Sequence, residues 1–201
     1  EPQSMVAAAE AALKHFGRID LLFNNAVYQG TGNIEALLDV AEEQLWAIYQ
    51  GNVFTPLALV KAIVPGMIDR KSGTVLNMVS HSAFTDPPAA ANDGGWGFAY
   101  PSSKAALARM AASLRAEHPA KGLRVFNLEP GLVMTDVMRL AGIDDAVMAR
   151  FKPCSPAAIA AVVCWVVDNE PPQAWNPQTV LRGPAIAKEL KLLQSPSLLG
   201  T

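Results

Sequence analysis

The chain of 201 residues is 51% hydrophobic and 17% charged, with a net charge of −2. This composition is typical of a folded protein with a sizeable core, and it excludes a disordered chain. The 16 Lys and Arg residues are scattered, which argues against a nucleic-acid surface, and no apolar run reaches the roughly 18 residues of a membrane span. Because Cys154 and Cys164 are too few for a disulfide framework, we expect a cytoplasmic protein without a metal site.

Helix and strand patterns alternate along the chain. In chain order they predict a helix over 2–16, a strand over 20–26, a short helix over 34–40, a long helix over 42–69 kinked at Pro56, a strand over 74–79, a loop over 82–98, a helix over 100–117, a strand over 123–128, a helix over 155–167, a strand over 179–181 and a helix over 186–193. Ser155 and Pro156 are expected to cap and begin the helix over 155–167.

The predicted strands are short and apolar throughout, as strands buried on both faces are. We therefore predict one α/β domain over residues 1–201, a doubly wound, Rossmann-like parallel sheet with helices on both faces. Ligands of such sheets bind beyond the carboxyl ends of the strands. Asn24, Ser80 and Pro130 lie at those ends.

Four short motifs follow one another in a fixed order. They are IDLLFNNA at 19–26, Gly51-Asn52-Val53, GTVLNMVS at 73–80 followed by YPSSK at 100–104, and NLEPGLVMTDV at 127–137. Each motif is weak evidence by itself, but their order and spacing extend over nearly the whole chain. The chain thereby resembles the short-chain dehydrogenase/reductase family, which transfers a hydride between NAD(P) and a carbonyl or alcohol.

The resemblance implies that Asn52, Ser80, Tyr100 and Lys104 are catalytic. Tyr100 would be the general acid/base, and Lys104, one helical turn later, would lower the tyrosine pKa from its usual value of about 10. Lys104 would also hold the nicotinamide ribose. Ser80 would donate a hydrogen bond to the substrate oxygen, with Ser82 as the alternative serine, and Asn52 would bind a water that relays protons.

The same resemblance implies NAD or NADP as the cofactor. The residues that would contact it are Asn24, Asn25, Ala26, Tyr100, Lys104, Pro130, Gly131, Val133 and Thr135. Val27 stands where the family has a glycine. Since a β-branched residue does not readily adopt a positive φ, we expect the backbone or the cofactor to be displaced at this position.

The family's glycine-rich turn, whose N–H groups hold the pyrophosphate, has no counterpart in this sequence. We therefore expect an N-terminally truncated dehydrogenase that lacks the first βαβ portion and binds the cofactor weakly or not at all. Two alternatives remain open. One is a non-catalytic remnant that acts as a scaffold or oligomerisation protein. The other is a sugar-nucleotide epimerase, against which the Asn-Asn-Ala run and the short C-terminal part argue.

The partners implied by the resemblance are a small carbonyl or alcohol substrate and a second copy of the chain. A homodimer or homotetramer would form through the helices over 42–69 and 100–117. The loop between Ser80 and Tyr100 is longer than in many family members, and its segment 85–96 is expected to be a wall of the substrate pocket. Residues 89–98 and 134–151 are rich in Ala, Met, Leu and Phe, which suggests an apolar ligand.

Overall fold

The computed structural model describes residues 2–30, 35–119, 122–134, 154–172 and 180–192. Helices and strands alternate, and in chain order they are α1 (Pro2–Phe16), β1 (Leu21–Asn24), α2 (Glu42–Tyr49), α3 (Thr55–Asp69), β2 (Gly73–Met78), α4 (Ala99–Glu117), β3 (Leu123–Glu129), α5 (Pro156–Asp168), β4 (Val180–Arg182) and α6 (Gly183–Glu189). The strands form a four-stranded parallel sheet in the order β1-β2-β3-β4. The predicted α/β class is confirmed.

The chain divides into two compact units, Glu1–Asn127 and Leu128–Thr201. In the first unit, α1, α3 and α4 share one hydrophobic cluster with β1, β2 and β3, in which Met67, Val75 and Ala111 are fully buried. In the second unit, α5 packs against α6. Ser155 caps α5, since its Oγ accepts a hydrogen bond from the N–H of Ala158 at 3.1 Å, as the sequence predicts.

Three buried asparagines link the strands of the first unit to one another and to α4. Asn24 on β1 donates to Oδ1 of Asn77 on β2 at 2.8 Å. Asn77 donates to the carbonyl of Leu107 at 3.3 Å and to Oδ1 of Asn127 on β3 at 3.4 Å, and Asn127 donates to the carbonyl of Ala108 at 3.0 Å. Each amide is at most 7% exposed, so these bonds replace the water that burial removes.

Replacing Asn77 with leucine is expected to destabilise the protein by about 2–4 kcal/mol. The substitution removes the acceptor of the Asn24 Nδ2 group and the donor to Oδ1 of Asn127, and each such loss costs roughly 1–3 kcal/mol. Urea unfolding followed by circular dichroism measures the change. Asn25→Ala, at an exposed asparagine directly after β1, is the matched control and is expected to change the stability little. Equal stabilities of the two variants would contradict the structural role of Asn77.

The helical region predicted over residues 42–69 is interrupted at a different place from the one expected. A π-helical turn, Gln50–Phe54, separates α2 from α3. Pro56 lies instead in the first turn of α3, where the missing N–H of proline costs nothing. The wider turn directs Asn52 inward, where it is 1% exposed.

The same region, Glu42–Asp69, is long and apolar enough to cross a membrane, since it contains an 18-residue window with a mean hydropathy of 1.4. Val60, Ile63, Val64 and Met67 from α3 are nevertheless part of the core cluster with α1 and the strands. This packing is typical of a helix in the core of an α/β fold.

Two further predicted helices differ from the structure. Within the range 34–40, the described residues form a turn, in which Ala36 accepts from the N–H groups of Asp39 and Val40. A segment this short gains too few hydrogen bonds to offset helix nucleation. The last helix lies earlier than predicted, at Gly183–Glu189, because the ring of Pro184 fits its first turn.

Candidate active site

Tyr100, Ser80 and Lys104 come together in the first unit. Tyr100 lies in the first turn of α4, and the side chain of Ser80, which follows β2, is near enough to its hydroxyl to lower its pKa. Nζ of Lys104, one turn along α4, lies 5.9 Å from the centre of the Tyr100 ring. A phenol, an alcohol and an amine therefore share one site, as the motif spacing predicts.

Burial controls the protonation of this site. It raises the pKa of Tyr100 above the usual 10.0, and the nearby side chain of Ser80 lowers that pKa by less. Burial also lowers the pKa of Lys104 from 10.5 to about 8. The pKa of Tyr100 is therefore raised overall, and the group that partly offsets the effect of burial is Ser80. A lowering of the tyrosine pKa by Lys104 stays a prediction.

Lys104 is only 2% exposed, which is rare for a lysine. Its Nζ donates a hydrogen bond to the backbone carbonyl of Met78, the last residue of β2, at 2.8 Å. An ammonium has three hydrogens, so two remain for other acceptors. The lysine is therefore held at the carboxyl end of β2 with donor capacity to spare.

Asn52 joins the segment after β1 to the start of α4. Its Oδ1 accepts from the N–H of Tyr28 at 2.8 Å, and its Nδ2 donates to the carbonyl of Tyr28 at 2.9 Å and to Oγ of Ser103 at 3.0 Å. Ser103 in turn donates to the carbonyl of Tyr100 at 2.7 Å. Both amide hydrogens of Asn52 are used, so a relay water could bind this side chain only through Oδ1.

Gly51 makes the bonds between Asn52 and Tyr28 possible. An added Cβ at Gly51 would lie 2.6 Å from Cβ of Tyr28, closer than real carbon atoms approach. A glycine before Asn52 therefore lets the two segments meet.

The predicted cofactor residues after β1 differ in their accessibility. Asn24 is 7% exposed and bonded to Asn77, whereas Asn25 and Ala26 are exposed. Among the described residues other than glycine, a positive φ occurs only at Lys71 and Lys191. Val27 therefore keeps an ordinary backbone conformation.

Of the predicted nicotinamide-side residues, Pro130, Gly131 and Val133 belong to the second unit and are partly exposed, and Thr135 lies outside the described residues. Val133 pairs with Cys154 in an isolated parallel bridge. Gly131 has a φ of +69°, and an added Cβ there would lie 2.7 Å from Cγ of Pro184. Only glycine fits this position without strain.

Glu129 is a residue that the sequence analysis did not single out. It is 6% exposed, and its carboxylate accepts from the N–H of Gly131 at 2.7 Å and from Arg182 at 3.2 Å. A buried carboxylate needs such partners. Glu129 thus fixes the Pro130-Gly131 turn and occupies the Gly131 N–H. The sequence signal that could have identified Glu129 is its position as a charged residue at the end of an apolar strand.

An apolar pocket of about 540 Å³ lies beside Ser82. Its lining includes Leu37, Ala90, Trp96 and Phe98, and α4 contributes residues 101, 102 and 105. Most of the lining comes from the loop between Ser80 and Tyr100, the segment expected to form a substrate wall.

Comparison with known proteins decides the family. The family model described as short chain dehydrogenase matches residues 1–145. The chain belongs to the short-chain dehydrogenase/reductase family. It is 35% identical over 147 residues to a short chain dehydrogenase of Pseudocercospora fijiensis, which covers 72% of this chain and 42% of the relative.

Solved structures of short-chain dehydrogenases/reductases have the same fold. A short-chain dehydrogenase from Streptomyces avermitilis matches with a TM-score of 0.70 and 25% identity, covering 96% of this chain and 72% of the other. A metagenomic short-chain oxidoreductase in complex with NADP matches with a TM-score of 0.61 and 28% identity, covering 84% and 65%. The NAD(P)-binding Rossmann fold predicted from the motifs is confirmed.

The chain spans only part of its curated relatives. It covers 42% of the Pseudocercospora fijiensis protein and 52–55% of related proteins from Schizosaccharomyces pombe and Monascus purpureus. The activity, substrate and partners of the whole protein are therefore matters for proposal.

Proposed function

We propose that this chain carries the proton-transfer site of an NAD(P)-dependent oxidoreductase that interconverts a carbonyl compound and an alcohol. The observation that supports this function best is the placement of three groups together: Nζ of Lys104 lies 5.9 Å from the centre of the Tyr100 ring, and the side chain of Ser80 is near enough to the Tyr100 hydroxyl to lower its pKa. A buried phenol with an alcohol and an amine beside it suits the transfer of one proton to or from a substrate oxygen.

Each residue has a distinct role in this proposal. Tyr100 gives its proton to the substrate oxygen during reduction and takes it back during oxidation. Ser80 donates a hydrogen bond to the same oxygen and stabilises its developing charge. Asn52 holds Tyr28 and, through Ser103, the carbonyl of Tyr100, so it positions the general acid.

The described residues fit a nicotinamide cofactor. Lys104 has two Nζ hydrogens beyond the one given to Met78, which suits the two hydroxyls of a ribose. Asn25 and Ala26 are exposed at the carboxyl end of β1, where ligands of parallel sheets bind. The nicotinamide, when bound, is the hydride donor or acceptor.

The protonation state of Tyr100 favours one direction of the reaction. Because burial raises its pKa, Tyr100 is protonated at neutral pH and is ready to act as an acid. The proposed direction at neutral pH is therefore reduction of a carbonyl. The apolar pocket beside Ser82 supports a substrate with a bulky apolar group next to the carbonyl carbon.

Assays of the purified protein with both nicotinamide cofactors test the function. NADH and NADPH oxidation is measured with matched ketones and aldehydes that carry either large apolar or small polar groups. We expect turnover with one cofactor, a preference for the apolar carbonyls, fast reduction at neutral pH and alcohol oxidation that increases with pH. No turnover with either cofactor across the series would contradict the proposal and favour a non-catalytic role.

A further inference from the structure

Ser82 connects the apolar pocket to the catalytic hydroxyls. Its Oγ lies 2.9 Å from Oγ of Ser80, and its backbone N–H donates to the same Ser80 oxygen at 3.4 Å. Ser82 also lines the pocket. Ser80 in turn is near enough to the hydroxyl of Tyr100, the proposed general acid, to lower its pKa.

The number of protons available limits how these hydroxyls work together. A serine hydroxyl carries one hydrogen, so Ser80 donates to Ser82 or to Tyr100 but not to both. When Tyr100 or the substrate oxygen bears negative charge, the proton of Ser80 is needed there. The donor in the bond between the two serines must then be Ser82.

A charge at one end of a series of linked hydrogen bonds strengthens every hydrogen bond in the series. Hydrogen bonds to ionised groups are stronger than neutral ones, and neighbouring bonds polarise one another. The bond from Ser82 to Ser80 is therefore worth more when Tyr100 is ionised than when it is neutral.

We propose that Ser82 is a positioning residue for the proposed reaction, because its hydroxyl and N–H hold Oγ of Ser80 so that the single proton of Ser80 is directed to Tyr100 and the substrate oxygen. The inference rests on the proposed function for its catalytic consequence. Its physical consequence, a contribution of Ser82 to the ionisation of Tyr100, is measurable without cofactor or substrate.

The test replaces the chain's three tyrosines with 3-fluorotyrosine and follows each by fluorine NMR as the pH is raised. The fluorinated phenol is more acidic than tyrosine, so the titration ends before strongly alkaline pH. Tyr100→Phe assigns the Tyr100 signal, and circular dichroism at each pH confirms that the protein is folded. Two other titratable residues lie near this site, Lys104 beside the Tyr100 ring and His81 between the two serines. Both are present in every variant compared, so they are not the cause of a difference between variants.

Ser82→Ala is expected to make the ionisation constant of Tyr100 about threefold smaller, the order of one modest hydrogen-bond contribution. Ser82→Thr keeps the hydroxyl and is expected to restore the constant. The matched control is Ser102→Ala. Ser102 lines the same pocket but donates to the carbonyl of Ala99 at 3.0 Å, so its loss is expected to change nothing.

An unchanged constant in Ser82→Ala, or an equal change in Ser102→Ala, would overturn the proposal and leave Ser82 as a pocket wall only. If Ser82→Ala does not fold, Ser82→Cys replaces it. The thiol is a weak donor, so the constant is still expected to fall. An inactive protein does not affect this titration, so failure of the proposed function is distinguishable from failure of this inference.

Discussion

Tyr100→Phe is expected to reduce kcat for NAD(P)H-dependent carbonyl reduction by about 10²–10⁴-fold, the usual contribution of a general acid. The change removes the one proton that Tyr100 can give to the substrate oxygen and keeps the ring. Ser80 would still donate a hydrogen bond to that oxygen. The remaining activity is therefore expected to lack the alkaline decline caused by ionisation of Tyr100.

The matched control is Tyr49→Phe in α2, whose ring contacts Phe54 at 6.4 Å between centroids and lies outside the proposed site. Its kcat is expected to stay close to that of the unchanged protein. Steady-state kinetics of both variants, together with thermal unfolding, separates a chemical effect from a folding defect. A Tyr100→Phe variant with full activity would show that another group transfers the proton.

Lys104→Met is expected to stabilise the protein while abolishing its activity. The pKa of Lys104 falls from 10.5 to about 8 on burial, so the folded state disfavours the ammonium. This difference in pKa corresponds to a cost of about 3 kcal/mol for burying the ammonium, which the substitution removes. The substitution also loses the hydrogen bond to Met78, which offsets about 1 kcal/mol of that gain. We expect a gain of roughly 1–3 kcal/mol at neutral pH.

The free energy of unfolding depends on pH because the folded and unfolded states bind the proton of Lys104 with different affinities. Below a pH of about 8, Lys104 is protonated in both the folded and the unfolded state, and the folded state bears the full cost of the buried charge. Between about 8 and 10.5 the unfolded state holds more protons, so the unchanged protein gains stability as the pH rises. Above 10.5 both states are neutral, and the advantage of Lys104→Met is expected to disappear.

Urea unfolding at several pH values measures this difference. Lys61→Met on α3 is the control, since Lys61 is exposed and its replacement removes no buried charge. A Lys104→Met variant that is less stable than the unchanged protein at neutral pH would show that the bond to Met78 outweighs the cost of burial.

Local patterns predicted most of the secondary structure. The apolar runs that became β1, β2 and β3 and the alanine-rich helices lie close to their predicted positions, because burial and helix propensity act over a few neighbouring residues. The π-helical turn at Gln50–Phe54 was not predictable in this way. It depends on contacts of Asn52 with residues 24 and 51 positions away along the chain.

In the candidate active site, too, local patterns predicted some features and long-range contacts determined the others. The spacing of Tyr100 and Lys104 determined that the two side chains share one helical face, and the order of motifs determined the family. The sequence could not show that Asn24, Asn77 and Asn127 join three strands. Nor could it show that the carboxylate of Glu129 accepts from the N–H of Gly131. These bonds connect or orient groups whose positions depend on how the chain folds back on itself.

The protonation of the site was decided by the tertiary structure alone. From the sequence, a lysine one turn from a tyrosine predicts a lower tyrosine pKa, since only the charge of the neighbour is visible. In the folded protein both groups are withdrawn from water, and desolvation raises the pKa of Tyr100 and lowers that of Lys104. The sequence determined which groups meet, and burial, which depends on every element packed around them, decided which protons they hold.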